Sequence, residues 1–555
     1  MKRIVAFAAL GAVLAACTQT TSTSTTATST ADQSSAAAQP RNARTQAGVL
    51  RVAIQQDVKN LNPLLTSNTT DVMIADLMFE QLTHADPKGN AVPMLASEIP
   101  TTENGGISKD GLTFTYHLRK NAKWTDGVPV TSKDVKWSWQ AIMNPNNNIV
   151  SRHGYDSVAS IDTPDDYTAV VHLKAKFAPF VNTFFADSDQ PFPVAPAHIL
   201  SKYPNINQIP FTSAPTVSDG AFKFVKWAHG DHIELAANPA YYMGVPKLKK
   251  IIIKIIPDEN TAVNLARTHD IDWMFESSIQ NYHAVKDIPG TKLFFVDVNG
   301  YEDVQLNISH PLLKDVRVRQ AIAYAIDKQR LIDTLTFGQE KMAVEDQPHF
   351  MWTFDPNVKQ YPHDVSKAKQ LLQQAGYTPG SDGIMQKNGQ RLSLVLVYNT
   401  SNVTRRQASI QIQGMLKEAG IDLAVKTYPG NVLFAPAGEG GVLQLGNFDL
   451  SLAGWFSGVD PDDSSQFGCK NFPPGGYNYP RYCNPDMEKA QQLALGQYDQ
   501  ASRKTDYYKI QELLARDVPE IFFWDLRQMH VISSDFKGFD PNPVTESWNS
   551  WQWSI

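Results

Sequence analysis

Residues 112–143 constrain the fold more than any other stretch. Leu112, Phe114, Tyr116 and Leu118 alternate with Thr113, Thr115 and His117, the period of two that lays one face of a strand on a core. Asp126-Gly127 then makes a tight turn, Asp through its side-chain bond to the following backbone and Gly through its tolerance of positive φ. Thr131 with Asp134 three residues on reads as a capping box, which predicts a helix starting there. Val135, Trp139 and Ile142 fall at i, i+4 and i+7 of that helix. Strand, turn and helix in so short a span are the building unit of an α/β protein.

At 555 residues the chain is long enough for two or three lobes with cores of their own. A hydrophobic content of 42% and a charged content of 19% describe an ordinary soluble globular protein. The net charge of −6 argues against nucleic acid, which asks for a basic footprint. The 26 Phe, 19 Tyr and 11 Trp exceed what a surface tolerates, and both cores and a large ligand cleft use such side chains.

The N-terminus is a targeting segment. Lys2 and Arg3 precede an apolar run from Ile4 to Ala16 that is too short to span a bilayer stably, so residues 1–16 read as a signal peptide. The run ends in Leu14-Ala15-Ala16-Cys17, which matches the bacterial lipobox, with Cys17 as the acylated first residue of the mature chain. Residues 18–47 contain no Val, Ile, Leu, Met, Phe, Tyr or Trp, so 17–47 is expected to be a lipid anchor and disordered tether. Thirty such residues reach roughly 30 Å.

Along the body, Val49 to Ile54 alternates like a strand, and Asn60 to Leu64 makes a turn. A helix is expected from about Asp71, and two strands over 158–173. Lys249 to Ile256 is nearly continuous β-branched sequence, expected to be a strand covered on both faces. A helix over 258–268 and a strand over 270–274 follow it, implying a right-handed crossover and a parallel pair. A second crossover unit comprises a strand over 391–398, a helix over 402–419 stopped at Gly420, and a strand over 421–427. Tyr398 and Asn399 stand at that strand's C-terminal end, where α/β sheets bind ligands. Another strand, 447–453, leads into Gly454-Trp455.

The string from Asn121 to Val135 closely resembles the signature of the extracellular solute-binding family 5, the peptide- and nickel-binding proteins that feed ABC importers. Similar family landmarks recur at 93–97, 238–242 and, strongly, 311–328. The resemblance implies an α/β, two-lobed periplasmic-binding-protein (Venus-flytrap) fold with an extra subdomain in the first lobe. The expected division is 48–70 with 208–305 and 522–555 for lobe I, 71–207 for the extra subdomain and 306–521 for lobe II. It also implies that the segment around Asn62 lines the cleft and that Trp455, Phe456, Ser457 and Gly458 form the pocket wall. Peptide-binding relatives place an Asp three residues after the tryptophan to hold the peptide ammonium, and an Arg three residues before it. Here those positions are Gly458 and Leu452, and the first carboxylate downstream is Asp460, which either takes the ammonium or caps a turn around Pro461. Cys469 and Cys483 lie in an exported loop, where oxidation is favoured, and dipeptide-binding relatives carry a similar pair, so a disulfide is expected.

An enzyme is the competing class, but the chain has no Gly-x-Ser-x-Gly elbow, no His-Glu-x-x-His and no phosphate-cradling loop. His229 and His232 are the nearest approach to a metal pair and read as exposed loop histidines; Arg317 and Arg319 read as solvated or paired. No cofactor and no metal site is expected. The expected role is a non-enzymatic, monomeric binding lipoprotein of the cell envelope, facing periplasm or exterior. It would capture short peptides for an ABC permease and ATPase, touching the membrane through its lipid only. A chelated nickel, opine or oligosaccharide ligand, or a surface adhesin that keeps the fold, is the alternative.

Acylation at Cys17 is expected to hold the protein on the membrane, since two or more acyl chains suffice for stable residence. Cys17→Ser should move it to soluble or unprocessed fractions on cell fractionation. Unchanged mass and membrane association would refute the anchor.

Overall fold

The computed structural model describes residues 42–66, 68–435, 437–473 and 476–555. The signal peptide and Cys17 lie outside them.

The segment that opened the sequence folds as its pattern predicts. Thr113–His117 is a strand with Phe114 and Tyr116 buried, paired antiparallel with Thr168–Leu173, which in turn pairs with Val158–Asp165. The helix Ser132–Met143 begins at a capping box in which Asp134 Oδ2 accepts from Thr131 N at 2.8 Å. This small sheet shares one continuous core with the first lobe, including Phe114, Tyr155, Phe180, Phe184 and Phe192.

A large eleven-stranded sheet runs through both lobes. In lobe I, Val49–Ile54 lies between Lys250–Ile255 and Trp273–Ser277 and is parallel to both. The expected crossover is therefore present, but the first strand of the chain sits between its two strands. Lys250–Ile255 is half-covered rather than covered on both faces: Ile251, Ile253 and Ile255 are buried, while Lys250, Ile252 and Lys254 alternate outward. In lobe II, Ser393–Asn399 is parallel to Asp422–Tyr428 and to Leu450–Phe456, around a second core that includes Leu394, Leu396, Ile412 and Leu450. The last of these strands extends through Trp455 and Phe456, farther than its apolar pattern indicated, because both residues stay paired to Tyr301 and Gly300.

Two strands belong to both lobes. Thr291–Leu306 has 16 residues and Glu520–Ser533 has 14, so each reaches about 50 Å. They pair antiparallel from Thr291↔Ser533 to Asp297↔Arg527, and again from Tyr301↔Asp525 to Gln305↔Glu520. Between these blocks Val298, Asn299 and Gly300 oppose Leu526 alone, a bulge at the boundary between the lobes. Gly300 is required there, since a Cβ would stand 2.4 Å from the Trp455 carbonyl oxygen.

Residues 42–47, which the composition assigns to the tether, are bonded to the body of the protein. Asn42 N and Thr45 Oγ1 donate to Asp535 Oδ2, and Arg44 pairs with Asp270. Polar residues can be ordered by bonds to a neighbouring body even where no apolar side chain is present. The chain closes in the same lobe, with Trp553 fully buried against Trp273 and Phe536. No helix of the described residues is long and apolar enough to cross a membrane.

Cys469 and Cys483 form a disulfide. It closes a loop whose fixed points are Asn478 Nδ2, donating to Gly468 O and Tyr482 O, and Cys469 N, donating to Glu488. A loop of that size is stabilised by about 3 kcal/mol when cross-linked. Denaturant unfolding of the Cys469→Ala/Cys483→Ala variant should show a loss of that order. Unchanged stability would mean that the loop's hydrogen bonds alone hold it.

Candidate ligand cleft

The cleft is built on the C-terminal end of strand Leu450–Phe456, where it leaves the shared sheet. Pairing with Thr291–Leu306 fixes Trp455 and Phe456 at the lobe boundary, and Trp455 Nε1–H donates to Ser457 Oγ at 2.8 Å. A cavity of about 480 Å³ lies to one side, lined by Gln305, Phe434, Leu443, Gln444, Trp455 and Tyr477. Tyr477 meets the Trp455 ring edge-on at 5.4 Å. A second cavity of about 330 Å³ lies toward lobe I, lined among others by Thr69, Gln190, Val298, Phe456, Ser457 and Gln528. Phe456 is 56% exposed, far more than a core phenylalanine, and its ring borders this second space.

Several contacts join the lobes, among them Tyr498 Oη–H donating to Gly111 O at 2.7 Å. Gly458 packs on the backbone of Ser188 and Asp189: a Cβ there would stand 2.6 Å from Ser188 Cα. Val459 N donates to Asp187 O at 3.2 Å, and Asn299 Nδ2 holds Gly458 O at 2.7 Å. The departure from the peptide-binding pattern has this steric basis, because no aspartate side chain fits at 458 in this arrangement. On the other side, Gln280 Nε2 donates to Leu335 O and Thr404 Oγ1, and His283 meets Phe337 edge-on at 4.5 Å.

Asp460 does not stand free for a ligand. Arg503 grips it with two bonds of 2.7 and 2.9 Å, both side chains being largely buried. Burial works against the Arg503 charge, but Asp460 outweighs it and raises the guanidinium's pKa. Asp462 is pushed up by burial and faces His153 Nε2 at 3.7 Å, while His153 Nδ1 faces Asp189 at 3.6 Å. Burial alone would lower the imidazole; the two carboxylates reverse that and raise it to about 9, so it stands as a cation between the lobes. Glu302 and Arg405 form a further largely buried pair, at 2.6 and 3.0 Å.

Three other expectations are placed elsewhere. Asn62 is buried in lobe I, its Oδ1 accepting from Leu64 N and its Nδ2 donating to Ile206 O. Tyr398 packs in the lobe II core, and Asn399 Oδ1 accepts from Ser401 in the turn before helix Val403–Glu418. Neither lines the two cavities. Leu452 is likewise core. His229 stacks on Trp227, and His232 pairs with Asp231 and Glu234, so the two do not converge on a metal. Arg317 pairs with Asp315, and Arg319 donates to backbone carbonyls including Leu313 O and Asp517 O. The residues missed were Thr69, His153, Asp189, Gln190 and Gln528, which reach the cleft from segments far apart in the chain.

The profile of bacterial extracellular solute-binding proteins, family 5 (middle), matches residues 90–477. The chain belongs to that family. It is 26% identical over 529 residues to the oligopeptide-binding protein AppA of Bacillus subtilis, covering 94% of each chain. The structure of that AppA in complex with a nonapeptide superimposes with a TM-score of 0.74 at 25% identity, over 91% of this chain and 98% of the other. NikZ from Campylobacter jejuni, in complex with Ni(L-His), superimposes with a TM-score of 0.76 at 25% identity, over 92% and 100%. As a family 5 protein the chain is an exported, non-enzymatic solute-binding component of the transport type, with the two-lobed fold of its neighbours.

Removing the Asp460 carboxylate would strand the buried Arg503 charge, which costs about 3–5 kcal/mol. Asp460→Asn should lose that much stability in denaturant unfolding, and Asp460→Leu with Arg503→Met should recover most of it. An Asp460→Asn variant as stable as the parent would overturn the assignment of Asp460 to the fold.

Proposed function

We propose that this family 5 protein is the capture component of an ABC importer. It takes short peptides between its lobes, is held at the envelope through Cys17, and delivers to a membrane permease driven by ATPase subunits. The observation that carries the reading is the cleft itself: two cavities on either side of the Trp455–Ser457 rib, one aromatic and amide-lined, the other lined by apolar side chains such as Phe456 and Val298 interspersed with polar ones such as Thr69 and Gln528. A chain of residues could lie along the rib, placing an apolar side chain against Trp455 and Tyr477. The likeness to an oligopeptide-binding protein across nearly the whole chain supports the same reading.

Chelated nickel, as in NikZ, is the second reading. Against it stands the occupation of His153: both its ring nitrogens face carboxylates of the protein, which leaves neither for a metal complex.

Calorimetry of the purified mature protein with mixed short peptides and with nickel–histidine separates the two. Peptide binding with a smaller radius of gyration in solution scattering is the expected result. Binding of nickel–histidine alone would replace the peptide reading.

A further inference from the structure

Strand Trp273–Ser277 does not pair evenly with Glu520–Ser533. The register runs Trp273↔Ile532 and Met274↔Val531, then Ser277↔Met529, so Phe275 and Glu276 together oppose His530. Glu276 is the residue that takes the strain, with φ of 45°. A non-glycine residue in this left-handed region is strained and is found where a side chain must be aimed. The bulge is held from beneath by His530, fully buried, whose Nδ1 accepts from both Glu276 N and Trp273 Nε1 at 3.2 Å. Burial lowers His530 to about 3, so the ring is neutral and this acceptor is permanent; its Nε2 faces Glu546.

The carboxylate so aimed meets only neutral donors. Glu276 Oε2 accepts from Thr69 Oγ1 at 2.8 Å and Oε1 from Gln528 Nε2 at 2.5 Å, and both donors line the 330 Å³ cavity. The other carboxylates named at the cleft have cations: Asp460 has Arg503, Glu302 has Arg405, and Asp189 and Asp462 share His153. Among the described residues no cation pairs with Glu276, and Glu546, a second carboxyl, is close enough to interact with it. Burial raises Glu276 to about 7 against the hydrogen bonds from Thr69 and Gln528, which lower it.

We propose that Glu276 is the anchor for a primary ammonium of the ligand, seated in the cavity between Thr69, Gln528 and Phe456. This rests on the peptide reading and assigns the role that Gly458 and Asp460 do not fill. The ammonium is a peptide's N-terminus or a lysine-type side chain.

The test uses the purified mature protein and Glu276→Gln, which keeps the side chain's shape. Each is incubated with tryptic casein peptides mixed with the same peptides amine-acetylated, and with a portion acetylated only at the α-amine; retained peptides are identified by mass spectrometry. The parent should retain free-amine peptides at least tenfold over fully acetylated ones, and Glu276→Gln should retain both alike. Retention of α-acetylated lysine peptides assigns the anchor to a side chain; their loss assigns it to the N-terminus. Equal discrimination by both proteins overturns the proposal. Thermal unfolding without ligand gives a second reading: replacing an unpaired acid should leave the midpoint equal or higher, whereas a midpoint lowered by several degrees makes Glu276 a structural residue and overturns its role as an anchor. Should neither protein retain any peptide, the peptide reading fails by itself. Stabilisation by millimolar n-propylammonium over n-propanol then decides Glu276: an effect seen in the parent and absent in the variant upholds the anchor, and an equal response overturns it.

Discussion

The pairing of Thr291–Leu306 with Glu520–Ser533 is the constraint on which the rest of the molecule depends. Each strand contributes to two cores, so lobe I and lobe II are ordered halves of one sheet joined by unbroken backbone. The bulge at Val298–Gly300 removes ladder hydrogen bonds where the cores separate, concentrating bending there while the paired blocks on either side stay stiff. Everything at the cleft is referred to this point. Trp455 and Phe456 take their places from Tyr301 and Gly300, and Asn299 holds the Gly458 carbonyl.

The electrostatics of the cleft follow from closing it. Bringing Ser457–Asp462 of one lobe onto Asp187–Asp189 of the other places carboxylates close together. The protein answers with a cation from each side: Arg503 for Asp460, and the His153 imidazolium for Asp189 and Asp462. Gly458 belongs to the same solution. An aspartate there would add a charge and collide with Ser188, so the position serves lobe contact.

Local features were legible in the sequence because their causes are local. The strand at Phe114–Tyr116, the capping box of Thr131 and Asp134, and the parallel unit of Ser393–Asn399 with Asp422–Tyr428 each follow from spacing within one segment. The family string at 121–135 supplied the two-lobed plan, which spacing alone does not contain. What failed to be legible depends on partners far away. Asp460 looked available because Arg503 is 43 residues downstream, and nothing near either marks the pair. Asn62 and Tyr398 occupy turn and strand-end positions that suit a site, but whether such a residue faces a cleft or a core depends on the packing of the whole lobe. The order of residues 42–45 depends on Asp535, close to the other terminus.

Two of the irregularities of the long sheet, one on either side, flank the same strand. Glu520–Ser533 is opposed by a bulge of Thr291–Leu306 at Leu526 and by a bulge of Trp273–Ser277 at His530, four residues along. Gln528 lies between them, still paired with Val296, and its side chain borders the cavity. Two bulges flanking one strand weaken a sheet by lost pairing and strained backbone, and a protein selected only for stability has no use for them. They are retained, on this argument, because regular strands put side chains above and below a sheet, whereas a ligand held between lobes must be met at the boundary where the sheet changes lobe. Val298 from one bulge lines that place, and the Glu276 carboxylate carried by the other is bonded to Thr69 and Gln528, which line it too.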